Sequence, residues 1–495
     1  MTRSLILAIL SSLLLVLAYP LSGFWGLAWA AMVPLLFALD GKTPRAAFGW
    51  AYLTGFFFFA GTLSWFIHVT LPGMLLLMMY LALYFGFFGL GYAYFQKLPP
   101  SWKIGILPAL WVALEFIRDR FLSGFGWVCL GHSQYQILPV IQIAEFTGVF
   151  GVSFLVMMVN VVLKEMIKNR CWKTGVIPGL FSLLVLGYGA LMVSITYAPK
   201  FGMKIAVIQP NVEQHRKWLP SSWDEITERL LALTGEAARH NPDLIIWPET
   251  AFPGFIWESP ERFERIKDFT ARQKIPLLLG AVTKVGERYY NSAILISGEG
   301  AVAAQYNKLH LVPFGEYVPF RRQLPFLSEI VPIADFSAGI ELTRFPISQK
   351  SEPRPGEKNF FSALICFEDT VAGTARAMTR QGADFLVNMT NDAWFQDTQA
   401  PFLHLQAAVF QAVANRRSMV RAANTGVSGF IDEKGLVYSF VQDKAGKKTM
   451  RPGYVVDGIV RTRDGMSFYA RFGDVFAYLC FGAVILGVIK RKISL

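Results

Sequence analysis

Three polar residues stand next to apolar, strand-like runs of the chain. Glu249 follows DLIIWP, Lys308 lies in QYNKLH just after a second such run, and Cys366 closes FSALIC. Loops at strand ends are where α/β folds present reactive groups. Singly, each has an ordinary explanation, because a lone cysteine at a strand end is more often a small buried hydrophobe and a lone Glu or Lys in a loop is usually solvated.

Together, the three residue types could carry out nucleophilic acyl chemistry. A thiol needs a base to become a thiolate, and a carboxylate such as that of Glu249 in a partly apolar pocket can be that base. Attack of Cys366 on a carbonyl builds negative charge on oxygen, which the Lys308 ammonium and backbone N–H groups can stabilise. A Cys–His pair is the alternative, with His310 and His404 available, although neither histidine has a papain-type sequence context.

The stretch that carries these residues, from about 200 to 470, predicts an α/β domain whose strands are buried on both faces. Strands are predicted at 203–209, 243–247, 277–282, 292–297, 361–366 and 384–389, and helices at 223–239 and near 404–420. The chain contains no GxGxxG turn and no Walker-type loop, so no nucleotide cofactor is expected. The four cysteines lie far apart and have neither metal-type spacing nor the pattern of a disulfide framework.

The rest of the chain has the composition of a membrane protein, with 53% hydrophobic residues over the whole sequence. Most of its apolar runs reach the roughly 20 residues that a helix needs to cross a bilayer. The eight runs are 4–21, 23–39, 49–71, 74–95, 104–117, 145–163, 174–198 and 475–489. The first run lacks a small-residue cleavage site and further runs follow it, which favours a transmembrane helix over a signal peptide.

Loop charges predict the orientation of these helices. With a cytoplasmic N-terminus, the cytoplasmic segments carry twelve Lys and Arg residues and the short exoplasmic turns carry two. We therefore expect membrane domains at 1–198 and 473–495, cytoplasmic termini, and an exoplasmic catalytic domain at 199–472. The net charge of +12 is explained largely by these loops. No basic stripe with interleaved aromatic residues suggests nucleic-acid binding.

The motifs around the three polar residues resemble a known family. WPE, YNK with LVPFGEYVP, and ICFED resemble the Glu-Lys-Cys triad of the nitrilase superfamily, in that order. KLHLVPFGEYVPF, with VNMTNDAWF and NTGVSG downstream, is similar to the apolipoprotein N-acyltransferase branch. Seven N-terminal spans and one C-terminal span also match, so the resemblance covers essentially the whole chain. It implies eight transmembrane helices and a nitrilase-like α-β-β-α sandwich domain.

The resemblance also implies roles for residues that match the family's motifs. Cys366 would be the nucleophile, Glu249 the general base and Lys308 the stabiliser of the oxyanion. Glu316, in PFGEYVP, would be a second carboxylate that positions Lys308 and the incoming amine. Trp218, in HRKWLP, matches a tryptophan on a mobile arm over the site, although an interfacial anchor is an equally simple explanation for this side chain.

Two further positions match the pocket of the family, and three depart from its pattern. Asn291 in YYNSAIL and Glu368 after the nucleophile are the further matches. Phe367 stands where a tyrosine often follows the nucleophile, and Gln411 and Ala414 replace an expected Arg and Glu. These departures concern the surroundings of the triad and leave its three residues in place.

The resemblance implies a ping-pong acyl transfer without a cofactor. A cysteine thioester would form from a membrane phospholipid and then acylate the α-amine of the N-terminal diacylglyceryl-cysteine of an apolipoprotein. Both substrates are lipid-anchored, so we expect an enzyme of the bacterial inner membrane whose catalytic domain faces the periplasm. Two alternatives stay open: a membrane-anchored nitrilase-type amidase that uses water as the acyl acceptor, and a transporter or scaffold with an inactive triad.

Overall fold

The structure is a computed structural model that describes residues 1–20, 22–195, 201–319, 335–348, 359–461 and 465–493. The chain divides into two units. The first unit combines Met1–Thr196, Thr398–Ala414 and Ser467–Leu495, and the second combines Tyr197–Asp397 and Asn415–Met466. The predicted boundary between residues 198 and 199 lies outside the described residues.

The first unit is helical, and the sequences of its helices are mostly apolar. Its longer helices are Thr2–Leu17, Pro44–Thr62, Leu71–Phe95, Pro100–Arg118, Val149–Asn169, Val176–Ser194, Ala400–Asn415 and Val475–Ile493. Its shorter helices are Ala28–Ala31, Val33–Leu39, Leu138–Ile141, Ala144–Thr147 and Phe468–Phe472. A helix satisfies its own backbone N–H and C=O groups, which is why apolar segments that lack water as a partner fold in this way.

Among the residues that the structure describes, four helical segments are long and apolar enough to cross a membrane. They are Leu71–Phe95, Pro100–Arg118, Val149–Asn169 and Trp172–Ser194. The last is the least buried of the four, and it exposes Ile177, Leu183 and Leu184. Exposed leucine and isoleucine at this density favour a lipid surrounding over water. Four of the eight predicted spans are thus supported, and the count of eight stays a prediction.

The second unit is built on twelve strands within the described ranges, arranged as two sheets of six. The strands of the first sheet are β1 (Phe201–Gln209), β2 (Leu244–Ile246), β3 (Leu277–Val285), β4 (Arg288–Ile296), β5 (Val302–Asn307) and β12 (Gly453–Arg461). The strands of the second are β6 (Phe345–Ile347), β7 (Asn359–Ile365), β8 (Phe385–Thr390), β9 (Met419–Ala423), β10 (Gly429–Ile431) and β11 (Val437–Tyr438). Within the described residues, the α-helices of this unit are Trp223–Ala238, Pro260–Gln273 and Ala372–Arg380.

The two sheets have the same plan. Their orders are β12-β1-β2-β3-β4-β5 and β11-β10-β9-β8-β7-β6. The neighbours β1-β2-β3 and β7-β8-β9 run parallel, and the outer strands pair antiparallel. Strand β1 contacts β9 and β4 contacts β7, so the sheets face each other. The chain leaving β2 leads to Glu249 and the chain leaving β7 leads to Cys366, which brings both loops to strand ends of parallel pairs.

Helices cover the outer faces of this sandwich. On the first sheet, Ile226 and Leu230 of one helix and Ile266 of the other pack with Leu277 and Leu279 of β3. These β3 residues alternate along the strand, as a sheet with one face against helices requires. Helix Ala372–Arg380 contacts β7 of the second sheet. The predicted α/β domain is therefore confirmed, with its apolar strands buried on both faces.

Candidate active site

Cys366 is held in a strained backbone conformation at the end of β7. Its φ of 53° lies in the left-handed region and it opens the turn Cys366–Thr370. Such a conformation costs a non-glycine residue on the order of 1–3 kcal/mol and persists only where its surroundings hold it. The neighbouring strand β8 provides that hold, because Asn388 Nδ2 donates to the Cys366 carbonyl at 3.1 Å and the Thr390 hydroxyl hydrogen-bonds the cysteine side chain.

Four side chains meet in a buried group that we call the lysine cluster: Lys308, Glu249, Glu316 and Asn291. Lys308 Nζ lies 2.9 Å from Glu316 Oε1 and 3.6 Å from Glu249 Oε1. Asn291 Nδ2 bridges the carboxylates, donating to Glu249 Oε1 at 2.8 Å and to Glu316 Oε1 at 2.9 Å. The sequence predicted all four residues for the site, and the structure brings all four together.

The strands fix this cluster through the backbone. Lys308 follows β5, and its N–H donates to the carbonyl of Asn291 on the paired strand β4 at 2.9 Å. Val312 N–H donates to Glu316 Oε2 at 2.8 Å, and Lys308 Nζ lies 2.9 Å from both oxygens of that carboxylate. The positions of the ammonium and of the Glu316 carboxylate are therefore set by sheet register and a short loop, as a preorganised charge site requires.

Burial and mutual charge shift the pKa values of the site in a consistent way. Desolvation raises the pKa of Glu249, and the Lys308 ammonium only partly opposes that rise. Burial works against the charge of Lys308, but the Glu316 and Glu249 carboxylates outweigh it and hold the Lys308 pKa above its usual value. Desolvation and then Glu249 raise the pKa of the Cys366 thiol well above normal. Cys366 is thus a thiol at neutral pH that needs a base, and Glu249 is a base of raised proton affinity.

Glu368 connects the nucleophile to the lysine segment. Its Oε1 accepts from Leu309 N–H at 2.7 Å, His310 N–H at 3.0 Å and the Tyr306 hydroxyl at 2.8 Å. Its Oε2 accepts from Ile365 N–H at 2.8 Å, one residue before the nucleophile. Burial raises the Glu368 pKa to about 6, although these donors favour its charged form. Glu368 therefore joins the loop after β5 to the end of β7.

The contacts described for Trp218, His310 and His404 lie outside the lysine cluster. Trp218 is 39% exposed, and its ring lies 5.5 Å from that of Phe255. His310 Nδ1 hydrogen-bonds the Thr374 hydroxyl at 3.0 Å. His404 belongs to the first unit, where its ring stacks on Trp127. The charges that act on Cys366 come from Glu249, Lys308 and Asp392, so the Cys–His alternative gains no support.

Sequence reasoning missed a second buried group, the arginine cluster, formed by Arg421, Asp369, Asp392 and Asn388. Arg421 Nη1 donates to Asp369 Oδ2 at 2.9 Å and to Asn388 Oδ1 at 2.6 Å, and Nη2 donates to Asp392 Oδ2 at 3.3 Å. Asn388 in turn binds the Cys366 carbonyl. Arg421 lies in β9, and its sequence context, MVRAA, gives no sign of this group; only the burial of the side chain shows it.

Sequence reasoning also missed Lys217, beside Trp218. Its Nζ lies 3.3 Å from both the Glu249 carbonyl oxygen and the Thr250 hydroxyl. In sequence it belongs to HRKW, a basic run that is normally solvated. Among the described residues, no group of three or more His, Cys, Asp or Glu side chains is placed to hold a metal ion.

Comparison with known proteins adds to this geometry. Residues 11–162 match the profile of the apolipoprotein N-acyltransferase N-terminal domain, and residues 204–450 match that of the carbon-nitrogen hydrolase domain. An amidase from Nesterenkonia sp. aligns in structure over 58% of this chain and 99% of its own, with 16% identity and a TM-score of 0.41.

Curated relatives match over nearly the full length. The apolipoprotein N-acyltransferase of Geobacter metallireducens is 38% identical over 99% of this chain and 96% of its own. Those of Chlorobaculum tepidum and Pasteurella multocida are 29% and 28% identical, over 99% and 95% of this chain and 98% and 92% of their own. At 38% identity over almost all of both sequences, the chain belongs to the apolipoprotein N-acyltransferase family.

Proposed function

We propose that this enzyme moves an acyl group from a membrane phospholipid to the α-amine of the N-terminal diacylglyceryl-cysteine of apolipoproteins, through a thioester on Cys366. The observation that carries the proposal is the lysine cluster next to a strained cysteine, in a chain of this family with membrane-length apolar helices. The reaction completes the maturation of a lipoprotein and needs no cofactor, because a thiol, a base and a fixed cation supply its chemistry.

In the first half-reaction, Glu249 accepts the Cys366 proton as the sulfur attacks the ester carbonyl of the phospholipid. Negative charge then develops on the carbonyl oxygen, and the Lys308 ammonium stabilises it. The intermediate collapses by breaking the ester C–O bond. Glu249 returns its proton to the departing alkoxide, which leaves as a lysophospholipid, and the acyl group stays on sulfur.

In the second half-reaction, the amine of the lipoprotein attacks the thioester carbonyl. Glu249 is again a carboxylate and accepts a proton from the amine as the C–N bond forms. Lys308 stabilises the same oxyanion, the C–S bond breaks, and Glu249 protonates the departing thiolate. Glu316 keeps the ammonium of Lys308 aimed at the site through their 2.9 Å contact, and we assign to it the placing of the incoming amine.

Three more residues receive supporting roles in this proposal. Asn291 holds Glu249 and Glu316 at a fixed separation through its bridging amide. Glu368 holds the segment of Lys308 against the end of β7. Trp218, with its exposed indole, is assigned to substrate at the mouth of the site, since an amphipathic ring suits a lipid substrate.

The membrane arrangement is also a proposal. Eight spans in domains 1–198 and 473–495 would place both termini in the cytoplasm and domain 199–472 in the periplasm, at the inner membrane. Both lipid-anchored substrates would then meet the site at the outer surface of that membrane. Single cysteines introduced on the surface of domain 199–472 should react with an impermeant maleimide in intact spheroplasts. Labelling that requires lysis would reverse this topology.

The decisive experiment measures the mass of the purified protein after incubation with a phospholipid of defined acyl chain. We expect one added acyl group on Cys366, labile to hydroxylamine, and its transfer to a diacylglyceryl-cysteine peptide as an amide. The Cys366→Ala variant should take up none, whereas Cys171→Ala should behave as the unchanged protein. Acyl uptake by Cys366→Ala would refute the mechanism, and release of free fatty acid in place of transfer to the peptide would favour the amidase alternative.

A further inference from the structure

A second lysine lies against the proposed base. Lys217 is only 3% exposed, although both its neighbours, Arg216 and Trp218, are far more open. Its ammonium contacts the Glu249 carbonyl oxygen and the Thr250 hydroxyl, both at 3.3 Å. A lysine is almost never this deeply buried unless a partner compensates the loss of water. Here the compensation comes from the turn that carries Glu249.

That turn is strained and tightly enclosed. Thr250 has a φ of 43°, in the left-handed region that a β-branched residue rarely adopts. The turn also packs directly on Gly280 of β3, where an added Cβ would lie 2.6 Å from Thr250 N and 2.8 Å from Glu249 Cα. A strained conformation persists only where its surroundings hold it, and the Lys217 ammonium contributes two of the contacts that hold this turn.

The backbone of Lys217 is also held in place. The indole N–H of Trp223, at the start of helix Trp223–Ala238, donates to the Lys217 carbonyl at 3.0 Å. The lysine therefore does not depend on the surface for its position. Through its backbone carbonyl and its ammonium, Lys217 connects a helix of the outer layer to the loop of the base.

The charges of Lys217 and Glu249 also influence each other. Burial lowers the pKa of Lys217 to about 8, and the Glu249 carboxylate opposes that change. In return, the Lys217 charge favours the ionised form of Glu249, against desolvation and the neighbouring Glu316. Among the described residues, Glu249 is the charged group that shifts the pKa of Lys217. Near neutral pH, most of the Lys217 side chains carry their proton.

We infer that Lys217 is a positioning residue for the reaction: its buried ammonium holds the Glu249–Thr250 turn and places a positive charge at the loop of the base, without touching the substrate. This inference rests on the proposed function, since it assumes that Glu249 is the base. The site then contains two cations, Lys308 and Lys217, with different roles. Lys308 faces the oxyanion, and Lys217 supports the group that removes the proton.

The test uses single-turnover thioester formation by the full-length protein, with phospholipid and no amine acceptor, from about pH 6 to pH 9.5. In Lys217→Met, we expect a rate about tenfold below that of the unchanged protein at pH 7, because Glu249 loses both the contact that holds its turn and a positive charge that favours its ionised form. The deficit should shrink above pH 8, where Lys217 of the unchanged protein loses its proton and Glu249 ionises in both proteins. Lys217→Gln should show the same pH-dependent deficit if the methionine variant folds poorly.

Lys217→Arg, which keeps a charge at all these pH values, should retain the rate at pH 7. Arg216→Gln, which removes only a surface pair with Glu225, is the matched control and should equal the unchanged protein. A deficit of constant size across the pH range, no deficit at pH 7, or an arginine variant that behaves like methionine would overturn the inference. Failure of the unchanged protein to form a thioester would instead refute the proposed function.

Discussion

The lysine cluster and the arginine cluster contain the same charges. Each places one cation, two carboxylates and one asparagine in the interior of the same unit, and each borders Cys366 or its partners. In the lysine cluster, Glu249 and Glu316 retain 7% and 9% of their exposure. In the arginine cluster, Asp369 and Asp392 retain 0%. The carboxylates of the lysine cluster therefore keep some contact with solvent, and those of the arginine cluster keep none.

The cations of the two clusters, Arg421 and Lys308, also differ in how firmly they are held. Arg421 uses its planar fork on several acceptors at once, with Nε donating to the Val427 carbonyl and the two Nη atoms to Asp369, Asn388 and Asp392. Arginine does not lose its proton in proteins, and its fork fixes direction as well as charge. Lys308 is a point charge on a flexible stem, held by the Glu316 and Glu249 carboxylates. An arginine cluster thus suits a fixed frame, and a lysine cluster suits charge that must respond to a reaction.

The largest expected effect separates the two cations. Arg421→Met leaves two fully buried carboxylates without their cation, and breaking a buried pair in this way costs about 3–5 kcal/mol. Lys308→Met should lower the rate of thioester formation by a factor on the order of 10²–10³, because it removes one stabiliser of the oxyanion. Thermal unfolding of the detergent-purified protein and single-turnover acylation measure the two effects.

The comparison needs both measurements on both variants. We expect the melting temperature of Lys308→Met to fall less than that of Arg421→Met, because Glu249 and Glu316 can take up a proton in their partly open site. Equal loss of stability in the two variants, or an Arg421→Met protein as stable as the unchanged one, would show that the arginine cluster is no more important to stability than the lysine cluster.

A smaller effect is expected from Gly280→Ala. The new Cβ would lie 2.5 Å from the Pro248 carbonyl oxygen and 2.8 Å from Glu249 Cα, so the turn of the base must move. Overpacking of this kind typically costs about 1–3 kcal/mol, and the acylation rate should fall about tenfold to hundredfold. Gly373→Ala is the control, because an added Cβ there meets nothing within 4 Å and the helix gains a better helix former. Equal rates for the two variants would contradict a rigid turn.

Much of this site could be predicted because its residues follow strong apolar strands. The predicted strands at 203–209, 277–282 and 384–389 coincide with β1, β3 and β8. The strands β6 and β10 to β12 were missed: β6 and β10 have three residues and β11 has two, and β12 pairs at the outer edge of the first sheet. The helix predicted near 404–420 ends at Asn415 in the structure, and Met419 begins β9.

The functional residues that could not be predicted are recognised by their burial, and the residue type alone does not show whether a side chain is buried. MVRAA has the composition of a helix as readily as that of a strand, so both the end of the helix and the role of Arg421 were hidden. Lys217 stands in a basic run, and only the fold turns its side chain inward. Predicting that Glu249, Lys308 and Cys366 act together needed the family resemblance as well as their residue types.

The smallest expected effect is a change in the melting temperature of Glu249→Gln, and its sign is the informative part. Because the pKa of Glu249 is raised in the folded protein, its ionised form disfavours folding. Its stabilising contribution is present below the unfolded pKa and is lost as the pH rises through the folded pKa. Glu249→Gln cannot ionise, so at pH 7 it should melt slightly above the unchanged protein while forming no thioester.

Below about pH 3 the two proteins should melt alike, because Glu249 is then protonated in both the folded and the unfolded chain. The matched variant in the arginine cluster is Asp369→Asn. It removes the carboxylate that lies 2.9 Å from Arg421 Nη1, leaves part of that buried charge uncompensated, and should melt lower than the unchanged protein at pH 7. Opposite signs for the two carboxylate-to-amide changes express the difference between the clusters most directly: the catalytic site keeps a carboxylate that the fold would be more stable without, and the frame keeps one that it requires.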